Sequence, residues 1–313
     1  MVPLVLDAPP RGLSSPSAVD RADLVGRLAS WWRGGPRAER DALPWRATRD
    51  PWAVLVSEAM LAQTQAARVA ERYPEFLAAF PTPRAMAESG VAAVIRAWSG
   101  LGYNRRALAL FRLAERLVAS HGEAVPASLD ELLALPGVGP YTARAVLAFA
   151  FEERVGVVDT NIARVLARAV AGAPLRPAPA QRLADALVTG PPREWNLALM
   201  DFGALVCRAR DPRCGSCPLA EHACAWQAAR RAGEAVTDPA RARSGTAPPA
   251  ARFVGSDREL RGRLLRAACS GAVRLEAATL SDLDAVRLAA LAAALVAEGL
   301  LARTEDGALT LPR

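Results

Sequence analysis

The chain of 313 residues contains no lysine: all 39 of its basic residues are arginine. A coding bias toward alanine and arginine would explain this, and the chemical consequence holds regardless. No side-chain amine exists to form a Schiff base, so imine chemistry on a lysine is excluded. Aromatic residues are scarce at 5%, and histidine occurs only as His121 and His222. Ala, Leu and Arg dominate instead, which favours helix over strand. No uncharged apolar run reaches the ~18 residues of a membrane span. Residues 1–6 form a short apolar run without a basic n-region, so neither a membrane helix nor a signal peptide is expected. Cysteine is also sparse, five in all, with four of them between Cys207 and Cys224. Clustered in this way, they point to a metal site in a reducing compartment and away from a secreted disulfide framework.

What is present suffices for a folded, polyanion-binding protein. The length suits two or three domains, and 52% hydrophobic residues supply a core. A net charge of +7 and a pI of about 9.9 favour a polyanionic partner. The chain is organised around Leu135-Pro136-Gly137-Val138-Gly139-Pro140-Tyr141-Thr142-Ala143, followed by Val157-Val158-Asp159-Thr160-Asn161. The first stretch reads as a tight turn opening a helix. Gly137 and Gly139 can take φ > 0 and leave amides uncovered, and Pro140 suits the first helical position. Such a helix start binds phosphate. The second stretch puts Asp159 at a helix entry, where the dipole is expected to keep it ionised. An ordinary helix–turn–helix joint with an N-capping Asp explains the same residues.

In chain order, residues 1–20 are a Pro/Ser-rich tail expected to be disordered. A helix is expected over 20–32, then an extended segment at Leu43-Pro44-Trp45-Arg46. Asp50-Pro51 starts a strong helix whose apolar stripe is Val54, Leu55, Met60 and Leu61. Glu58 points to the same side, where loss of hydration would raise its pKa; a carboxylate snorkelling to water is the alternative. Further helices are expected over 66–79, 84–97 and 105–120. Between the last two, Gly100-Leu101-Gly102-Tyr103-Asn104-Arg105-Arg106 can wedge an aromatic ring into a base stack while Arg holds phosphate, or be a plain turn. A capping box at Ser128–Glu131 starts the helix before the glycine turn. Helices at 140–151, 160–171, 178–188 and 193–206 complete an all-α body.

The cysteines run Cys207-x6-Cys214-x2-Cys217-x6-Cys224, able to enclose zinc or an iron–sulfur cluster. Cys269 lies in an apolar helical run and is expected in a core. Residues 229–252 read as a linker. The last part, 253–313, has a helix capped at Ser256, a second helix starting at Ser281 and a hairpin around Asp306-Gly307. It is winged-helix-like, and either binds DNA or merely packs.

Taken together, six motifs in this order resemble the MutY-type adenine DNA glycosylases of the helix-hairpin-helix superfamily, over roughly residues 21–228. They are Leu43–Arg46, Ser57-Glu58-Ala59-Met60-Leu61-Ala62-Gln63-Thr64-Gln65, Gly100–Tyr103, Leu135–Gly139, Val158–Asn161 and the four cysteines. The resemblance implies the superfamily's all-α glycosylase fold. A six-helix domain would span 48–152, and an iron–sulfur domain would be made of 21–47 plus 153–228. It implies that Glu58 protonates adenine at N7 and that Asp159 stabilises the sugar cation, with Tyr141 and Asn161 orienting them. Arg46 and Leu61 match the adenine pocket. Gln63, Thr64 and Tyr103 match the side that meets DNA, with Gln63 and Tyr103 wedging into the duplex; Gly137 and Gly139 would grip its backbone. Cys207, Cys214, Cys217 and Cys224 match ligands of a [4Fe–4S] cluster.

The implied partner is double-stranded DNA with an A:8-oxoguanine or A:G mispair, met by a cytoplasmic, nucleoid-associated monomer. Endonuclease III-like relatives carry a catalytic lysine where this chain has Tyr141, so a monofunctional glycosylase is expected. The chain departs from the family in three places. Its last cysteine spacing is x6 where x5 is usual, Leu197 stands where relatives often carry Glu or Gln, and a short form without the Nudix-like C-terminal domain is expected. A mismatch thymine glycosylase and a non-catalytic helix-hairpin-helix DNA-binding protein are the competing readings. The pairing of Glu58 with Asp159 argues against the second.

Overall fold

The computed structural model describes residues 21–35, 42–240, 254–275 and 285–312. The N-terminal tail, Ser281 and the linker beyond residue 240 lie outside the described residues. The chain forms two compact units, Met1–Ala42 with Leu147–Ala247, and Leu43–Val146 with Pro248–Arg313. Among the described residues the structure is helical apart from one two-stranded hairpin, and no helix is long and apolar enough to cross a membrane.

In the unit containing 43–146, the Asp50 carboxylate accepts the amides of Trp52 and Ala53 at 3.2 Å each and starts the Pro51–Leu61 helix. The expected one-sided stripe is wrong. Trp52 through Glu58 and Met60 are all buried, while Leu61 is half-buried. Apolar residues occur on every side of this helix, so neighbours enclose it all round. Leu43–Arg46 is not extended: Pro44–Arg46 form a 3₁₀ turn, with Trp45 edge-on to Tyr73 at 6.1 Å. The helix expected over 84–97 is two, Pro83–Ser89 and Val91–Ala97, split at Gly90 with φ 76°. Ser128 precedes the Leu129–Leu133 helix, but its side chain makes no cap bond, so the capping box is not formed.

The glycine turn is anchored by buried Leu135 and Val138 and leads into Pro140–Phe149. Gly137 has φ 77°, and a Cβ there would lie 2.8 Å from the Cβ of Ala109 on the Arg105–His121 helix. Gly139, expected to share this conformation, is not among the positive-φ glycines. Only the first glycine is demanded by both backbone shape and close approach.

The C-terminal residues belong to the same unit. Ser256 caps the Asp257–Ser270 helix by accepting the Glu259 amide. The Ala285–Ala297 helix follows, then Ala302–Arg303 pairs antiparallel with Leu309–Thr310. Cys269, expected in a core, is half-buried. Glu298 accepts Arg105 at 2.8 Å and Arg261 at 2.5 Å. Burial pushes the Glu298 carboxyl up, but the two guanidinium groups outweigh it and hold the carboxyl below its ordinary range.

The other unit packs the helices Arg21–Arg33, Thr160–Val165, Pro177–Leu187, Pro192–Leu205 and Ala225–Arg231. Its core gathers Leu24, Leu28, Ile162, Leu166, Trp195 and Phe202. Each such side chain contributes about 1.5–3 kcal/mol through burial. The helix expected over 160–171 changes pitch: Leu166–Ala171 is π-helical. Residues expected to begin a linker instead extend the fold. Val236 packs on the core and Asp238 pairs with Arg168.

Replacing Gly137 with Ala adds left-handed strain to a 2.8 Å clash. The expected loss is about 3 kcal/mol, read as a lower urea midpoint at unchanged m value. A wild-type midpoint would show that the turn re-forms without this close approach.

Candidate active site and cysteine loop

Asp159 is delivered by a short extended segment that side chains hold from both edges. The Gly156 amide donates to Asp185 Oδ1 at 2.8 Å, and Gln181 Nε2 donates to the Gly156 carbonyl at 2.9 Å. The Val157 amide donates to Oδ1 of buried Asn196 at 2.8 Å, while Asn196 Nδ2 donates to the carbonyls of Val155 and Pro192. A Cβ on Gly156 would sit 2.6 Å from the backbone carbon of Ala184, so only glycine lets the segment lie this close to Pro177–Leu187.

At the end of this segment Asp159 caps Thr160–Val165. It accepts the Ile162 amide at 2.6 Å and Asn161 Nδ2 at 2.8 Å. Asn161 Oδ1 in turn accepts Arg164 Nη2 at 2.7 Å. Arg164 also donates to the carbonyls of Gly203 at 2.7 Å and Cys207 at 2.6 Å. A continuous hydrogen-bonded path therefore runs from the Asp159 carboxylate to the first cysteine. The helix N-terminus does not set the titration of Asp159 as expected. Burial pushes its pKa above the ordinary 3.8, and the donors from Ile162, Asn161 and Arg164 offset this only in part.

Cys207, Cys214, Cys217 and Cys224 line one cavity with Phe202, Leu219 and Trp226. Gln227 Nε2 donates to Cys214 Sγ at 3.2 Å, and Arg168 Nη1 approaches Cys207 Sγ at 3.6 Å. Arg168 is 1% exposed; it pairs with Asp238 at 2.6 Å, donates to the Arg208 carbonyl at 2.7 Å and lies over the Trp226 ring. Burial pushes the thiols of Cys217 and Cys224 up to about 11 and raises that of Cys207. Among the described residues, no three Cys, His, Asp or Glu side chains converge as a single-ion site. Four soft donors around one cavity, two of them met by N–H groups, fit a larger thiolate-held group.

The remaining site residues lie in the other unit. Glu58 is buried at 7% exposure within its helix. Arg106 gathers the end of that helix and the 100–103 turn. Its guanidinium donates to the carbonyls of Ala59 at 2.8 Å, Met60 at 2.9 Å and Gly102 at 3.0 Å, and to Thr64 Oγ1 at 2.9 Å. The expectation that this arginine holds phosphate is therefore corrected: it faces inward, and burial lowers its pKa to about 10. Arg105 pairs with Glu298. Gln63 and Tyr103, beside this node, are both non-glycine residues at positive φ, 61° and 49°. Both are exposed. Arg46 and Tyr141 are half-buried, as is Gly139, and nothing meets the position of a Cβ on Gly139 within 4 Å. Leu197, in the other unit, is buried on Pro192–Leu205.

Sequence reading gave Arg106 an outward task and missed Arg164, Arg168 and Asp238. Arg164 and Arg168 offered a faint signal: two arginines four apart among Val165, Leu166 and Val170 in an apolar stretch. Asp238 offered none, because its partner is 70 residues away.

Two stability predictions follow from these buried charges. The folded state raises the Asp159 pKa, so it binds that proton more tightly than the unfolded chain. Ionised Asp159 therefore costs stability, increasingly from about pH 3.8 and fully above the folded pKa. Asp159→Asn should raise the thermal midpoint at neutral pH, with the gain shrinking in acid; a lower midpoint at pH 7 would contradict this. Asp238→Ala leaves Arg168 buried without its carboxylate and should cost about 3–5 kcal/mol, read by chemical unfolding. A loss under ~1 kcal/mol would mean the pair is dispensable.

Residues 56–186 match the HhH-GPD superfamily of base excision DNA repair proteins. The chain is 45% identical over 302 residues to the adenine DNA glycosylase of Mycobacterium tuberculosis, covering 91% of this chain and 92% of that protein. It is 42% identical over 294 residues to the adenine DNA glycosylase of Mycolicibacterium smegmatis, covering 91% and 94%. Coverage this high cannot be reached without the C-terminal residues. A solved structure of a thermostable thymine-DNA glycosylase superposes with a TM-score of 0.61 at 31% identity, over 66% of this chain and 96% of that one. Family match, extended identity and shared helical architecture converge: the chain belongs to the MutY-type adenine DNA glycosylases of the helix-hairpin-helix superfamily.

Proposed function

We propose that this DNA glycosylase hydrolyses the N-glycosidic bond of adenine mispaired with 8-oxoguanine or guanine, acting as a monomer on duplex DNA in the cytoplasm and leaving an abasic site. The observation that carries the reading is the Asp159 carboxylate, fixed by Ile162 and Asn161 at a helix N-terminus. A purine leaves readily only when protonated, which requires a proton donor poised near neutral pH; a buried carboxylic acid serves. In this reading Glu58 gives its proton to N7. The glycosidic electron pair then departs with the base, and positive charge develops at C1′ and the ring oxygen. Asp159 meets that charge, electrostatically or through a covalent intermediate that water opens. Asn161 and Tyr141 orient the acidic groups; Arg46 and Leu61 receive the extruded base; Gln63, Thr64 and Tyr103 take the opened duplex; Gly137 and Gly139 hold its backbone.

With no lysine in the chain and Tyr141 at the position in question, strand cleavage through an imine has no amine to use. Cys207, Cys214, Cys217 and Cys224 would hold a [4Fe–4S] cluster, which supplies a rigid anchor for the loop that begins at the Arg164-bound carbonyl. Arg168 and Gln227 orient two of the sulfurs.

A thymine-directed activity is the second reading, favoured by the fold shared with the thymine-DNA glycosylase. The adenine relatives match over 91% of the chain, that structure over 66%. Single-turnover release from A:8-oxoguanine, A:G, T:G and U:G duplexes separates the two. Adenine should leave fastest, with no borohydride-trapped adduct. Glu58→Gln should slow release by about 10²–10⁴-fold. Faster release of thymine, or a rate unchanged in Glu58→Gln, overturns the proposal.

A further inference from the structure

Tyr103 is held in a left-handed backbone conformation with its side chain out: φ is 49° and the residue is 41% exposed. Two guanidinium groups lie over its ring, Arg106 at 5.6 Å and Arg258 at 5.5 Å. Arg258 Nη1 also donates to the Tyr103 hydroxyl at 2.8 Å. Arg106 belongs to the helix beside the turn and is locked onto backbone carbonyls. Arg258 comes from the first turn of Asp257–Ser270, 155 residues further along the chain.

The C-terminal module is seated where it can do this. Glu298 ties it to Arg105 and to its own Arg261, and a Cβ at Gly299 would meet Arg112 Nη2 of the Arg105–His121 helix at 3.5 Å. Leu260, Leu264, Leu300 and Leu301 are buried. The acids of the first turn are engaged within the module: Asp257 with Arg287, and Glu259 with the Gly255 amide. Beside Tyr103, Arg68 donates to the Gly100 carbonyl at 3.4 Å, while the charge of Arg105 is met by Glu298.

We propose that Arg258 is a positioning residue for Tyr103 and a duplex-binding residue in its own right, making the C-terminal module part of the DNA-reading surface. This rests on the reading of duplex DNA as substrate and gives residues 254–312 a role in it. Clamping the ring before DNA arrives removes ordering cost from the binding step. A guanidinium beside an inserted ring also lies where a backbone phosphate of the opened step passes.

The test uses the full chain and a duplex holding a tetrahydrofuran abasic analogue opposite guanine, with affinity read by fluorescence anisotropy across salt concentrations. Arg258→Ala should weaken binding about tenfold and reduce the salt slope by about one. Arg258→Lys should restore the slope but only part of the affinity, which loss of a merely structural contact would not produce. Added to Tyr103→Ala, Arg258→Ala should cost much less than it does alone. Wild-type affinity, an unchanged slope, or fully additive losses overturn the proposal. If Arg258→Ala fails to fold, judged by circular dichroism, the Arg258→Lys comparison decides: wild-type affinity there overturns it. A wild-type protein that releases no adenine from any mispair would sink the glycosylase reading alone, because binding to the abasic analogue is scored separately.

Discussion

The structure depends on holding a carboxylate partly out of water at the start of a helix. Burial works against the ionised form of Asp159, and the Ile162 amide, the Asn161 side chain and Arg164 work for it. Desolvation is the larger effect, so the folded state carries a destabilised anion. Neighbouring structure has to over-determine such a group for it to persist. Here the over-determination is visible. Asn196, Asp185 and Gln181 fix the segment before Asp159, and Arg164 donates to Asn161 and to the Gly203 and Cys207 carbonyls after it.

Arginine performs every internal cationic task in this chain, and its geometry explains how. A guanidinium offers five donors in a plane and stays charged when buried. Arg106 binds Ala59, Met60 and Gly102, so the end of one helix and a neighbouring turn share a single side chain. Arg168 joins Asp238, the Arg208 carbonyl and the Trp226 ring around the cysteine loop. A compact ammonium could not bridge so many carbonyls at once. The absence of lysine, whatever its origin, suits a chain whose buried joints are planar forks.

The sequence disclosed most of the helical body, because its signals are local. Asp50-Pro51 marked a helix start that the two amide bonds to Asp50 bear out. Ser256 marked another, and Asp306-Gly307 a hairpin. Gly137 read correctly because a positive φ needs nothing beyond its own turn. Local signals failed where tertiary neighbours decide. The Pro51–Leu61 helix is buried all round, Ser128 makes no cap bond, and Arg106 turns inward. The identities of Asp159, Asn161 and the cysteines came from recognised motifs. Their connection through Arg164 could not, since a residue pairing with a carbonyl 43 positions away leaves no periodic trace. A longer separation, 70 residues, hid Asp238 behind what composition alone describes as linker.

The change of pitch at Leu166–Ala171 still lets two arginines four apart meet on one atom: Arg164 and Arg168 both donate to the Cys207 carbonyl, at 2.6 Å and 3.4 Å. In a regular α-helix, residues four apart lie on one face. Arg164, in the last regular turn, also reaches Asn161, and Arg168, in the widened turn, also reaches the Cys207 sulfur. A widened turn accommodates an additional residue. Deleting one residue there would restore the regular winding and leave the flanking turns nearly in place. The shared carbonyl thus ties the sulfur loop to the Asp159 side through two side chains, and a change of length in the widened turn disturbs one tie while sparing the other.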